Sequence, residues 1–196
     1  MSKQVEFFFD FGSPAAYLAY TQLPKIAAQA GAEIVWRPML LGGVFKATGN
    51  ASPVTVAAKG KWMMGDLARH ARGYGVSFDT PPGFPINTLP LMRGACGVQM
   101  RQPEQFSKYC DAIYHAMFAA PRDMRDLAVV AGVLTEAGFD PASFEAMIAD
   151  PEVKQRLIAN TEEAVARGAF GAPTFFIGQE MHFGQDRLEF VARALA

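Results

Sequence analysis

Apolar and polar positions along the chain sort into three zones. Val5 to Phe9 is a short apolar run with phenylalanine at 7, 8 and 9. Such a run predicts a strand buried on both faces. Gly12 marks a turn, and Ser13 followed by Pro14 is a helix-start signature, a serine cap and a proline at the first helical position. The helix is expected to reach about Ala30, with Leu18, Leu23 and Ile26 as core candidates. Pro24 should bend or stagger it, and Gly31 should stop it. Glu33 to Pro38 reads as the next strand, which completes a right-handed parallel β-α-β unit within the first forty residues.

The middle zone changes to helical spacing. Phe106, Tyr109, Cys110, Ile113 and Met117 form one apolar stripe, and Leu127, Val130, Ala131 and Leu134 form another. Gly138 closes a helix, the next opens near Pro141, and a further one is expected over about Pro151 to Arg167. Between the early and late helices, "DTPPGFPINTLPLMRG" holds four prolines in ten residues. It is read as irregular, and as too apolar for a solvated linker. The last zone returns to β. "APTFFIGQEMHFG" predicts two short strands around a tight Gly178-Gln179 turn, and "GQDRLEFVARAL" a closing helix with Leu188, Val191 and Leu195 inward.

Composition narrows the class. With 51% hydrophobic and 19% charged residues, the chain can fill a substantial core. A formal net charge of −1 gives no reason to expect nucleic acid or an anionic membrane as partner. The start of the sequence has neither a signal-peptide nor a membrane-span pattern, so a soluble cytoplasmic protein is expected. The two cysteines, Cys96 and Cys110, form no CxxC, and His70, His115 and His182 show no metal-ligand spacing. A reducing compartment and no metal are the expectations.

The order β-α-β, helical block, α-β-β-α looks like a thioredoxin fold with a helical insertion. Residues 1–40 and 168–196 would form the thioredoxin-like α/β domain, and 41–167 the inserted all-helical domain. Five stretches sharpen the match: "FDFGSPAAYLA", "WRPMLLGGVFKATGN", "KGKWM", "GAFGAPTFFIG" and "FGQDRL". Together they resemble the glutathione-dependent 2-hydroxychromene-2-carboxylate isomerases and the kappa-class glutathione transferases of the DsbA-like superfamily.

That resemblance gives Ser13 a role. The superfamily's reactive cysteine would sit at this turn, yet "SPAA" contains none, which argues against a dithiol oxidoreductase. The resemblance implies that bound glutathione supplies the thiol and that Ser13 donates a hydrogen bond to its thiolate. Read alone, Ser13 is only a helix cap. A free thiol, with a pKa of about 8.5, is a few per cent ionised near neutrality. Lowering it by about two units takes roughly 2.7 kcal/mol, within reach of a hydroxyl donor and a helix N-terminus.

The remaining site residues follow by resemblance. The resemblance implies a cis Pro173, with the main chain of Ala172 pairing with the cysteinyl unit of glutathione; read alone, Pro173 is an ordinary trans proline at a strand edge. "FGQDRL" is expected to open the last helix, with Gln185 and Asp186 at the γ-glutamyl end. Asn50 and Lys59 should also reach glutathione, Lys59 near its carboxylate end. Lys46, Trp62, Phe84 and Asn87 are candidates for holding an aromatic carboxylate substrate by their placement in lid-like segments. Each also has an ordinary reading: surface charge, core aromatic or loop polar group. The implied activity is interconversion of 2-hydroxychromene-2-carboxylate and trans-o-hydroxybenzylidenepyruvate in naphthalene-type catabolism, by a homodimer. The alternatives are a kappa-like transferase or peroxidase, and a non-catalytic DsbA-like binding module.

Overall fold

The computed structural model describes residues 3–196. Strand β1 (Gln4–Phe9) leads into helix α1 (Pro14–Ala30) and strand β2 (Glu33–Pro38). Helices α2 (Leu41–Thr48), α3 (Ala57–Tyr74), α4 (Leu89–Arg101), α5 (Phe106–Tyr114), α6 (Leu127–Glu136), α7 (Pro141–Ala149) and α8 (Pro151–Ala166) follow. The hairpin β3 (Thr174–Ile177) and β4 (Glu180–Phe183) precedes the closing helix α9 (Leu188–Leu195). The sheet order is β2-β1-β3-β4, with β1 parallel to β2 and β3 antiparallel to both its neighbours. This is the thioredoxin-like arrangement with helices inserted between β2 and β3.

The three phenylalanines are fully buried because β1 is covered on both faces. Val5, Phe7 and Phe9 belong to the main core, which runs without a break through α1, α4, α5 and α9. Phe7 stacks on Phe175 of β3, with ring centroids 5.2 Å apart. Phe8 faces the other way, into a smaller core with Met39, Val44, Ala164, Ala169 and Phe176. Helix α8 closes that side. Its Asn160 side chain donates to the Pro38 carbonyl at 2.9 Å, and its Thr161 hydroxyl accepts from the Leu40 amide at 2.9 Å. These bonds satisfy the chain where it leaves the sheet.

The start of α1 is as expected. The Ser13 hydroxyl accepts from the Ala16 amide at 3.1 Å, and Gly31 caps the other end at φ 62°. The helix continues through Pro24, which lies exposed. Three expectations need correction. The proline-rich segment is irregular only to Thr88: Leu89 starts α4, and Pro90 falls in the first turn, where no N–H is needed. Leu127 is 78% exposed, because it is the first helical residue after the Asp126 cap, and Val133, outside the expected stripe, is buried beside Val130 and Leu134 instead. Finally, α9 begins at Leu188, since Gln185–Arg187 forms a separate 3₁₀ turn.

One polar group sits inside this apolar frame. Asp10, 1% exposed, follows β1 and accepts from the Gly12 amide at 2.8 Å, the Leu41 amide at 2.7 Å and the Thr88 hydroxyl at 2.7 Å. It therefore joins the β1–α1 turn to the starts of α2 and α4. Burial pushes its carboxyl pKa up, against the opposing pull of these donors. Between the ordinary and the raised value the native state binds more protons than the unfolded chain, so stability from this group falls as pH rises. Asp10→Asn is expected to lower stability by about 1–3 kcal/mol, because one N–H would face the amide nitrogen. In urea titrations across the acid range, the advantage of wild type over the variant should shrink as pH rises. An advantage that grows with pH would contradict the raised value.

Candidate active site

The end of β1 delivers the chain to a turn that holds Ser13 at the N-terminus of a seventeen-residue helix. Facing it is the peptide before β3. The Ser13 hydroxyl donates to the Ala172 carbonyl at 2.9 Å while accepting from Ala16. The Ala172–Pro173 bond is cis, as is Phe84–Pro85. Ser13 is nearly buried and lies at the floor of a cleft of about 450 Å³.

The walls come from distant parts of the chain. Helix α2 contributes Leu41 and Phe45, and the segment after it Asn50 to Pro53. Helix α3 contributes Lys59, Trp62, Met63, Asp66 and Leu67. Phe84 comes from the proline-rich segment, and Phe183 to Asp186 follow from the hairpin. Ser13, Asn50, Lys59, Trp62, Phe84, Ala172, Gln185 and Asp186 thus all border one space. Lys46 and Asn87 do not. Lys46 lies exposed in the last turn of α2, and the Asn87 side chain accepts from the Leu89 amide at 3.1 Å, serving the start of α4.

The polar groups differ in how they are held. The Asn50 amide donates to the Phe170 carbonyl at 2.8 Å, tying the loop after α2 to the segment before β3. Asp186 pairs with its neighbour Arg187. Gln185 is 4% exposed, and its Oε1 accepts from the Tyr74 hydroxyl at 2.7 Å. Lys59 is exposed on the outer rim. Trp62, at 64% exposure, and Phe183 present apolar surface to the cleft mouth. The last helix, expected to open at Gln185, is preceded by the 3₁₀ turn, so an anionic ligand there meets the main-chain N–H groups of Gln185 and Asp186, unbonded among the described residues, rather than an α-helix N-terminus.

The chain's own thiols lie elsewhere. Cys96 and Cys110 are buried in the core, and burial pushes the Cys96 thiol up to about 12 and Cys110 well above its usual value. Neither lines the cleft. A sulfur nucleophile at Ser13 would have to arrive with a ligand. Asp10, Asp66 and Tyr74 were not singled out from sequence. Asp10 falls within "FFFDFG", where an acid after a buried strand is the available signal; Asp66 and Tyr74 carry no motif.

Comparison with known proteins identifies relatives along the whole chain. The family described as DSBA-like thioredoxin domain matches residues 4–196. The chain is 31% identical over 193 residues to 2-hydroxychromene-2-carboxylate isomerase of Sphingobium xenophagum, covering 97% of each chain. It is 28% identical over 207 residues to glutathione S-transferase kappa 1 of Homo sapiens, covering 100% of this chain and 92% of the relative. A solved 2-hydroxychromene-2-carboxylate isomerase superposes with a TM-score of 0.87 at 29% identity, covering 98% of this chain and 94% of that one.

Ser13 closes the first turn of α1 whatever else it does. Ser13→Ala should therefore fold normally and lose about 1 kcal/mol of stability, read from its urea midpoint. A loss above about 4 kcal/mol would mean that the bond to Ala172 holds the two halves of the fold together.

Proposed function

Because the chain belongs to the DsbA-like thioredoxin family, in the group of 2-hydroxychromene-2-carboxylate isomerases and their kappa-class transferase relatives, we propose that it is a glutathione-dependent cis–trans isomerase of that chromene acid. The observation that carries this reading is the Ser13 hydroxyl, set at a helix N-terminus and facing a main-chain carbonyl, in a cleft lined by no cysteine.

A hydroxyl has one proton to donate. In the free protein it goes to Ala172. With glutathione bound, the same proton turns to the sulfur, and the released Ala172 carbonyl accepts the ligand's peptide N–H. The thiolate gains a donor and the helix dipole, and no buried carbonyl is left unpaired. Lys59 meets the glycyl carboxylate, and Gln185 and Asp186 meet the γ-glutamyl end. The aromatic ring of the substrate lies against Trp62, Phe84 and Phe183.

Glutathione then supplies a nucleophilic sulfur. Addition to the ring-opened enone forms one C–S bond and turns a double bond into a single bond. Rotation and elimination restore both the double bond and the thiolate, with no net redox change. The cytoplasm, where thiols stay reduced, suits this chemistry.

One observation favours the kappa-like alternative. Lys46 and Asn87, the side chains expected to hold the substrate acid, lie outside the cleft. A transferase needs no such holder.

The chromene acid assay with sub-stoichiometric glutathione separates the two. Many turnovers per glutathione with constant free thiol are expected. Loss of one thiol per product would establish a transferase, and no dependence on glutathione would remove both readings. Ser13→Ala should lower turnover by about 10²–10³, the usual effect of removing one donor to developing charge. Unchanged turnover would reduce Ser13 to a helix cap.

A further inference from the structure

The structure assigns Tyr74 as a positioning residue that fixes the Gln185 carboxamide with its NH₂ towards the cleft, so that this corner of the site selects a hydrogen-bond acceptor, the γ-glutamyl carboxylate, over a donor. The assignment rests on the glutathione reading above. Tyr74 is the last residue of α3, and Gly75 then turns the chain away at φ 68°. Its hydroxyl donates to Gln185 Oε1 at 2.7 Å and lies 3.3 Å from the Gln185 main-chain carbonyl. Both acceptors belong to one residue, so the phenol holds the start of the 3₁₀ turn by side chain and backbone together. Burial and the Asp186 charge both raise the Tyr74 pKa, which keeps the phenol protonated and a donor through the neutral range.

The consequence lies on the far side of the amide. Gln185 is almost fully buried, yet it borders the cleft. With Oε1 committed to Tyr74, Nε2 is the end left over, and it has no acceptor among the described residues. The fully enclosed side-chain atoms without a partner lie elsewhere among those residues, at Arg37, Tyr114 and His182, so Nε2 keeps contact with solvent and is free to donate to a ligand. The turn itself has only three residues and offers no α-helix N-terminus. The main-chain N–H groups of Gln185 and Asp186, which make no bond in the turn, are available to an anion here; the amide adds a side-chain donor beside them, and Tyr74 sets its orientation.

The link also has a mechanical side. Helix α3 carries Lys59, Trp62, Met63 and Asp66 into the cleft. Its C-terminal end is pinned to the turn after β4 through this hydroxyl. Tyr74 thus sets one wall of the cleft against the other.

The test uses isothermal titration of two ligands, glutathione and 4-aminobutyryl-cysteinylglycine, which keeps the amine but lacks the α-carboxylate. A donor to a carboxylate should favour glutathione in the wild type by about 10–100-fold. In Tyr74→Phe, which removes only the hydroxyl, that ratio should fall by about tenfold, mainly through weaker glutathione binding. In a Gln185→Leu background, adding Tyr74→Phe should leave the ratio where Gln185→Leu alone puts it. An equal loss for both ligands, or an unchanged ratio, would overturn the assignment while glutathione binding survives. Failure of the wild type to bind glutathione would overturn the proposed function and this assignment with it.

Discussion

The bond from the Ser13 hydroxyl to the Ala172 carbonyl joins the turn after the first strand to the peptide before the third, 159 positions away. The site depends on this meeting. It requires β1 and β3 to be neighbours, and they pair through Phe7↔Phe175 and Phe8↔Thr174. It requires α1 to start at Pro14, so that its dipole points at the hydroxyl. Since one hydroxyl has one proton, the free protein holds Ala172 in the place of a ligand. Exchange of that bond for one to sulfur is where the proposed chemistry begins.

Around this contact the fold supplies stiffness. The phenylalanines of β1 pack on both faces of the sheet and leave its end little freedom. Asp10 then converts a strand end into a junction, since one carboxylate binds the turn, α2 and α4. The helical segment thereby takes its position from the sheet. Through α3 it returns to the site, and Tyr74 joins it to the turn after β4. Each wall of the cleft is thus tied to the same floor.

Much of this was legible in the sequence, for physical reasons that differ by element. Phe7, Phe8 and Phe9 have no place except a doubly covered strand, and Ser13-Pro14 and Gly31 mark helix ends by local stereochemistry. Helix α3 escaped, because Gly60, Gly65 and Gly73 and its many charges blur the apolar stripe. The start of α4 was lost among prolines that suit a first helical turn as well as a loop. Leu127 shows the limit of periodicity, which locates a stripe but not its first residue. At the site, Ser13, Asn50, Lys59, Ala172, Gln185 and Asp186, which the resemblance assigns to glutathione, all border the cleft, whereas of the substrate candidates, chosen by placement in lid-like segments, Trp62 and Phe84 border it and Lys46 and Asn87 do not. Asp10 and Tyr74 act through partners far along the chain, and no local pattern announces such pairs.

The central claim is that Ser13 stabilises a thiolate brought by glutathione. The most direct measurement is the ultraviolet absorbance of that thiolate, titrated with pH in the complex of wild type and in that of Ser13→Ala. The account predicts that the bound thiol ionises about two units below the free thiol in wild type and returns most of the way in the variant. A bound thiol that titrates as it does in water, or one equally acidic without the hydroxyl, would contradict it.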